Sequence, residues 1–291
     1  MAELRMVAGE PAMIVIEGKG KNKGRRSLLV ADLHIGIEAS LGTEKLAMEA
    51  IARMLDKLKS LVEKNKADRL VLIGDIRHRI PIEKEYWQQM TDEEETTRRV
   101  ALEVPEQLLK LKNVCEIILI PGNHDGALKS YFETRSELLI EDIGIFHSHK
   151  WPSEEMIKHA STVIAAHSHP AIALQDELGH TSKRKVWVFG EIDGKGLEKR
   201  YPGIKFEAGK RIVIMPAFND LIVGKAVNEK REFLGPLLRT DMFKIEKMEI
   251  FTLDGTSLAL DFTAKKKQRG RENGKGKNHT SKVQRLRTQR I

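Results

Sequence analysis

The stretch LLVADLH, residues 28–34, joins an apolar run typical of a buried β-strand directly to a carboxylate and an imidazole. The same layout recurs in LVLIGD, residues 70–75, and in IILIPGNHD, residues 117–125. In open α/β folds the carboxyl ends of neighbouring parallel strands meet at one edge of the sheet, where active sites are built. The three stretches therefore predict a functional site at such an edge.

Two later strand-like runs, IGIFHSH at residues 143–149 and TVIAAHSH at residues 162–169, end in histidine pairs. In extended backbone, residues two apart point to the same face, so Asp32 and His34 can reach one ion. The same spacing applies to His167 and His169. These pairs predict metal ligands rather than isolated surface histidines.

Three further side chains complete this ligand pattern. A carboxylate at Asp75 can bridge two cations, Asn123 offers a carbonyl oxygen, and His147 offers an imidazole nitrogen. A mixture of imidazole, carboxylate and carboxamide donors, without thiolate, suits Mn, Fe, Zn, Ni or Co better than Ca or Mg. We expect two divalent metal ions, manganese before the others. Cys115, the single cysteine, excludes an intramolecular disulfide or a thiolate-rich zinc site and is interpreted as a small buried hydrophobic residue.

The order of these motifs resembles the calcineurin-like metallophosphoesterase superfamily, whose pattern is D-x-H, G-D, G-N-H-D, a later H, and G-H-x-H. The resemblance spans about residues 28–170. Ser148 and Ala166 stand where the pattern often has glycine, which would matter only if the backbone there required positive φ. Residues 74–78 and 147–152 are most similar to the group that contains bacterial ligase-associated DNA-damage-response endonucleases and archaeal phosphoesterases.

The resemblance implies a role for each matched residue. One metal would be held by Asp32, His34, Asp75 and His169, and the other by Asp75, Asn123, His147 and His167. His124 would protonate the leaving oxygen or stabilise the phosphoryl charge, with Asp125 orienting the imidazole. His78 and His149 could face the substrate or hydrogen-bond a ligand from behind, and the second interpretation is slightly favoured.

The arrangement of the remaining runs predicts the fold class. Apolar residues recur at helical spacing from Lys45 to Val62, and the first half alternates strands with helices, including two helical pieces within residues 83–112. The second half is mostly strand-like. We predict an α/β fold of two packed mixed β-sheets flanked by helices, the four-layer sandwich of the metallophosphoesterases.

The net charge of +8 is unevenly distributed. Residues 265–291 contain eleven Lys or Arg and one acid, so they hold +10 and leave −2 for residues 1–264. We predict one metallophosphoesterase domain at 1–264 and a basic tail at 265–291 that is disordered when free, because it has almost no apolar residues to bury. Such a tail would be drawn electrostatically to nucleic acid, although a solubilising role or nonspecific contact with ribosomes or membranes is the alternative.

The sequence contains no apolar run of membrane-spanning length and no signal-peptide pattern at its start, and one cysteine fits a reducing compartment. We expect a cytoplasmic protein with no membrane partner. Superfamily relatives are often dimers, so a homodimer is an open expectation.

Three functions remain open at this point. The first is metal-dependent hydrolysis of phosphodiester bonds, in nucleic acid, by attack of a metal-activated water. The second is a small-molecule phosphatase or nucleotide phosphodiesterase. The third is a non-catalytic scaffold, which the complete ligand pattern disfavours.

Overall fold

The computed structural model describes residues 1–18, 20–41, 43–78, 106, 108–123, 125, 128, 130–176, 178–206, 209–229, 233–243, 247–259 and 288–289. Among these residues, no helix is both long and apolar enough to cross a membrane.

The first sheet contains the apolar runs that carry the first three motifs. Its six strands, in sheet order, are β1 (Glu3–Met6), β2 (Ala12–Ile16), β3 (Arg26–Ala31), β4 (Arg69–Ile73), β5 (Glu116–Ile120) and β6 (Glu133–Thr134). Strands β1 to β3 pair antiparallel, whereas β3 to β6 pair in parallel. The carboxyl ends of β3, β4 and β5 therefore lie side by side, as the sequence predicts.

The second sheet is built from the second half of the chain. Its strands are β7 (Glu137–Ile140), β8 (Ile143–His147), β9 (Thr162–Ala166), β10 (Pro170–Gln175), β11 (Thr181–Ile192), β12 (Lys210–Ile214), β13 (Lys225–Ala226), β14 (Glu249–Thr252), β15 (Ser257–Leu258) and β16 (Thr288–Gln289). Its main path runs β16-β15-β14-β11-β12-β9-β8-β7, and β10 pairs with β11 and β13. Because β8, β9 and β12 are parallel, their carboxyl ends also share one edge.

The two sheets pack face to face around a shared core. Along β3, Leu29 and Ala31 belong to the cluster between the sheets, together with Ile164 and Trp187 of the second sheet. Leu28 on β3 faces the other side, as the two-residue period of a strand requires.

Helices cover the outer faces. Helix α1 (Glu44–Lys64) packs its apolar side on the first sheet, and its first turn is capped by Thr43, whose hydroxyl oxygen accepts from Leu46 N. Helices α2 (Glu154–His159) and α3 (Gly194–Arg200) cover the second sheet. The result is the predicted four-layer sandwich of two mixed sheets flanked by helices.

Some expectations fall at the margins of the described chain. Most of the segment predicted as two helical pieces lies outside it, and its described part includes a short 3-10 helix at Lys110–Asn113. In the basic tail only β16 is described, and it pairs antiparallel with β15, which departs from predicted disorder at those two residues. The domain boundary at 264 and the disorder of the rest of the tail stay predictions.

Candidate metal centre

Two groups of carboxylate and imidazole side chains meet where strands of both sheets end. In each group the ligand-type atoms all lie within 4.8 Å of one another. The first group is Asp32, His34 and His169, and the second is Asp75, His147 and His167. The structure thus brings together six of the seven predicted ligands. The two groups divide as the resemblance implies, except that Asp75, which is expected in both, falls in the second.

The backbone that carries the Asp-x-His pair is not extended. Asp32 has φ of 54° and His34 has φ of 44°, so both lie in the left-handed region. The expectation that an extended chain places both side chains on one face is therefore wrong, because β3 ends at Ala31 and the chain turns immediately. Asp32 N donates to Ile73 O at 3.1 Å and His34 N donates to Asp75 O at 2.8 Å, which holds the turn against β4.

The second histidine pair behaves in the same way, with φ of 87° at His167 and 42° at His169. Ser148 and Ala166, the two departures from the family pattern, have no positive φ, so neither needs glycine. Residues held in sparsely populated backbone regions cost of order 1–3 kcal/mol each, and such residues cluster at functional sites.

Asp75 lies between the two groups. Its Oδ2 is 3.9 Å from His34 Nε2 of the first group, and 3.8 Å and 3.7 Å from His147 Nε2 and His167 Nδ1 of the second. Its Oδ1 is buried and has no hydrogen-bond partner among the described residues. This position agrees with a carboxylate shared by two cations.

The electrostatics of the first group favour a cation. Burial raises the pKa of the Asp32 carboxyl, but the charge of His169 and hydrogen bonds from His147 and His169 outweigh it, so this pKa lies well below its usual value. Burial lowers the pKa of His34 to about 4. An ionised buried carboxylate therefore lies beside a neutral imidazole, which is the donor chemistry of a metal site.

The second group has the same character. Burial opposes ionisation of Asp75, but the neighbouring His167 ring and the charge of His147 lower its pKa overall. His167 Nδ1 is buried, and at 3.7 Å from Asp75 Oδ2 it is beyond hydrogen-bond distance of that oxygen. An ion between these atoms would engage both of them, so the side chains of both groups fit divalent metal ions.

His149 contacts a candidate ligand rather than the centre itself. The Nδ1 atoms of His147 and His149 are 2.7 Å apart, while His147 Nε2 is directed to Asp32 Oδ1 at 3.3 Å. One ring nitrogen of His147 thus faces the centre and the other is hydrogen-bonded from behind. The ring of His78 packs edge-on against the ring of His34, with 5.7 Å between centroids.

The Gly-Asn-His-Asp motif is only partly described. Asn123 is exposed, three residues past the end of β5, and His124 lies outside the described residues. Asp125 is fully buried, and its carboxylate accepts hydrogen bonds from the backbone N–H groups of Ile76, Arg77 and Gly122. Asp125 therefore ties the loop after β5 to the loop after β4, and the roles of Asn123 and His124 stay predictions.

Sequence reasoning missed three polar residues beside the centre: Glu38 and Asn219, which are buried, and Lys185, whose side chain is 10% exposed. One signal could have found Asn219, because it follows the apolar run of β12 by a few residues, as the motif residues follow their strands. Glu38 and Lys185 have no such local signal.

The layered fold and the paired carboxylate–imidazole groups together define a metallophosphoesterase-like hydrolase. A family model described as calcineurin-like phosphoesterase matches residues 25–193, more than half of the chain. The chain belongs to this family and is a metal-dependent phosphoester hydrolase.

Comparison with solved structures gives weaker likenesses. The nuclease MPE of Pseudomonas putida is 19% identical, with a TM-score of 0.48, and the match covers 87% of this chain and 98% of that one. YfcE, a phosphoesterase from E. coli, is 15% identical, with a TM-score of 0.30, covering 52% of this chain and 73% of that one. No curated protein matches this chain.

Proposed function

We propose that this chain hydrolyses phosphodiester bonds in nucleic acid at a centre of two divalent metal ions. The observation that carries the dinuclear assignment is the position of Asp75, whose Oδ2 lies within 4 Å of imidazole nitrogens from both ligand groups. One carboxylate oxygen so placed can serve both ions.

The ligand assignment follows the two groups. Asp32, His34 and His169 would hold one ion with Asp75, and His147 and His167 would hold the other with Asp75 and Asn123. Two metal ions held by these residues would lower the pKa of a bound water and would neutralise charge on a phosphoryl group. Manganese is the first expectation, with Fe, Zn, Ni and Co as alternatives.

The chain's own residues supply the rest of the chemistry. Asp32 stays ionised because His169 and His147 surround it, so the site retains negative charge for cations. His124 is proposed to donate a proton to the leaving oxygen or to stabilise the phosphoryl charge. Asp125 fixes the backbone on both sides of Asn123 and His124 through its bonds to the loop after β4.

The nucleic-acid substrate is supported by charge and by the finer motif resemblance. Eleven cations within residues 265–291 would bind a polyphosphate backbone with strong salt dependence and little sequence preference. The segments 74–78 and 147–152 resemble DNA-damage-response endonucleases. The proposal also includes a cytoplasmic location and leaves a homodimer open.

A small-molecule phosphatase or nucleotide phosphodiesterase is the second candidate. The observation that favours it is the charge of −2 on residues 1–264, which gives the domain itself no excess of cations for a nucleic acid. A non-catalytic scaffold is disfavoured because six candidate ligands are assembled around one centre.

The first test compares manganese-dependent hydrolysis of bis-p-nitrophenyl phosphate and p-nitrophenyl phosphate by the wild type and by Asp75→Asn. We expect cleavage of the diester, and a loss in Asp75→Asn larger than the ~10–100-fold that removal of a group supporting a ligand costs. Asp56→Asn, at an exposed aspartate on α1, is the matched control and should retain activity. Preference for the monoester would move the small-molecule phosphatase to first place, and inactivity with every metal would favour the scaffold.

A further inference from the structure

The segment after β12 lies along the backbone of the Asp-x-His turn. Phe218 N donates to Ala31 O at 2.7 Å, and Asn219 Nδ2 donates to Leu33 O at 2.7 Å. These bonds reach the residue before Asp32 and the residue between Asp32 and His34. The segment that follows β12 of the second sheet is thus hydrogen-bonded to the turn that follows β3 of the first sheet.

Both polar atoms of the Asn219 side chain are used. The residue is 3% exposed, and besides Leu33 its Nδ2 donates to Glu38 Oε1 at 2.7 Å, while its Oδ1 accepts from Leu221 N at 2.9 Å. A carboxamide offers donors and an acceptor in one plane, and no hydrophobic residue could replace this combination.

Glu38 links Asn219 to the far side of the turn. It is 2% exposed, and its Oε2 accepts from Gly36 N at 2.8 Å, two residues past His34. A buried carboxyl persists only where hydrogen bonds compensate its desolvation, and here both oxygens have donors.

Lys185 supports the segment that carries Asn219. It lies on β11, and its Nζ donates to the carbonyl oxygens of Ala217 at 2.8 Å and Asn219 at 2.6 Å, with Asp220 at 3.5 Å. Because β11 is a central strand of the second sheet, Lys185 anchors the segment to a rigid element.

The turn at Asp32 and His34 needs these hydrogen bonds because its backbone is strained. Asp32 and His34 both have positive φ, and their backbone N–H groups bond Ile73 O at the end of β4 and Asp75 O just after it. Backbone in a sparsely populated conformation persists only where its surroundings over-determine it. Asn219 adds a restraint at Leu33 O, the carbonyl between the two candidate ligands.

We propose that Asn219, held by Glu38 and Lys185, is a positioning residue that keeps Asp32 and His34 in their metal-binding conformation. This inference rests on the proposed metal centre. Asn219 contacts neither ligand side chain in the bonds above, so it acts through the backbone of the turn.

The test measures manganese binding calorimetrically on full-length protein freed of metal, for the wild type, Asn219→Ala and Asn228→Ala. Asn228 is a matched control, since its side chain bonds both Ala173 N at 2.9 Å and Ala173 O at 2.8 Å, on β10. We expect ~10–100-fold weaker binding in Asn219→Ala, as for other groups that support a ligand. Asn228→Ala should bind manganese as the wild type does even if its melting temperature falls.

A second pair of variants keeps the proposal testable if Asn219→Ala does not fold. Asn219→Asp places two carboxylates together, and adding Glu38→Gln restores one amide–carboxylate hydrogen bond with the roles exchanged. We expect the double variant to recover part of the manganese affinity that Asn219→Asp removes. Additive losses would overturn the proposal.

The outcomes separate this inference from the proposed function. If the wild type binds no divalent metal, the proposed centre itself fails. If the wild type binds manganese and Asn219→Ala binds it equally well, or if Asn228→Ala loses as much affinity, the positioning role fails while the metal centre stands.

Discussion

At the scale of single residues, the centre is built from backbone that most side chains avoid. Of the seven non-glycine residues with positive φ in the described part of the chain, five are candidate ligands: Asp32, His34, Asp75, His167 and His169. Asp and His adopt the left-handed region more often than most residues, so they reduce the strain of an abrupt strand end without removing it. The abrupt ends direct their side chains to a common point.

A substitution at Gly122 would test whether close packing fixes the position of the Asp75 carboxylate. A Cβ added at residue 122 would overlap the Oδ1 and the backbone nitrogen of Asp75. We expect Gly122→Ala to displace this carboxylate and lower manganese-dependent turnover about 100-fold, the cost of a misplacement near 1 Å. Gly18→Ala, at an exposed glycine, is the control. Full activity with unchanged manganese affinity in Gly122→Ala would contradict a fixed Asp75.

The largely buried side chain of Lys185 predicts a pH dependence of stability. Burial lowers the pKa of Lys185 to about 8, against the opposing charge of Asp220; Lys57 and Glu10 also act on it. In the unfolded chain the pKa is higher, so between these values the unfolded state binds more protons and the free energy of unfolding rises with pH.

The measurement compares urea unfolding of the wild type and Lys185→Met from pH 7 to pH 10. The wild type should gain up to ~1.4 kcal/mol per pH unit over the variant above pH 8. Lys183→Met, at an exposed position of the same strand, should show no such gain. A gap that stays constant with pH would show that the ammonium is not buried as described.

At the scale of elements, helix α1 stabilises the first sheet without taking part in the site. Leu58 on α1 is fully buried in the cluster against the outer face of that sheet. We expect Leu58→Ala to lower the free energy of unfolding by ~2–5 kcal/mol, since a cavity remains. Leu46→Ala, 45% exposed on the same helix, should change it by less than ~0.5 kcal/mol. A similar loss of unfolding free energy in both variants would contradict the burial of Leu58 against the first sheet.

The strands that carry the motifs are predictable because they are buried on both faces and read as continuous apolar runs. The prediction from Leu70 to Ile73 differs from β4 by one residue. The strand β10 and the short helices α2 and α3 were not predicted, since β10 begins at Pro170 and α3 contains two glycines. Sequence periodicity predicts an element poorly where contacts with neighbouring elements, and not its own residue pattern, stabilise it.

Local sequence pattern also explains which residues of the site could be predicted and which could not. The six candidate ligands lie at a strand end or just after one, so local sequence marks them. Asn219 bonds Leu33 across 186 positions and Glu38 across 181, and no periodicity within a window records such a contact. The left-handed turn was also missed, because the two-residue spacing of Asp32 and His34 equally fits extended backbone.

At the scale of the whole molecule, function depends on two sheets whose strand ends meet. The first sheet supplies Asp32, His34 and Asp75, and the second supplies His147, His167 and His169. Because the inter-sheet core fixes their relative position, the centre exists only in the folded chain. Metal binding should therefore stabilise the native state by mass action.

The basic tail is where the substrate proposal can be tested on the whole chain. Truncation after residue 264 removes +10 of charge, including the short strand β16 that pairs with β15. We expect weaker binding of nucleic acid and a shallower dependence of log K on log salt concentration, by about 0.9 for each phosphate of duplex DNA that the tail no longer neutralises. Hydrolysis of bis-p-nitrophenyl phosphate should not change, because the candidate ligands all lie before residue 170.

The control for this truncation is a full-length chain in which the eleven Lys and Arg of the tail are replaced by Gln. It keeps the length of the tail and removes its positive charge, so it should match the truncated protein in affinity and salt dependence if the interaction is electrostatic. Wild-type nucleic-acid binding by the Gln variant would assign any effect of truncation to structure near β15 instead. If both variants bind and cleave DNA and RNA as the wild type does, the tail does not bind nucleic acid, and any nuclease activity belongs to residues 1–264 alone.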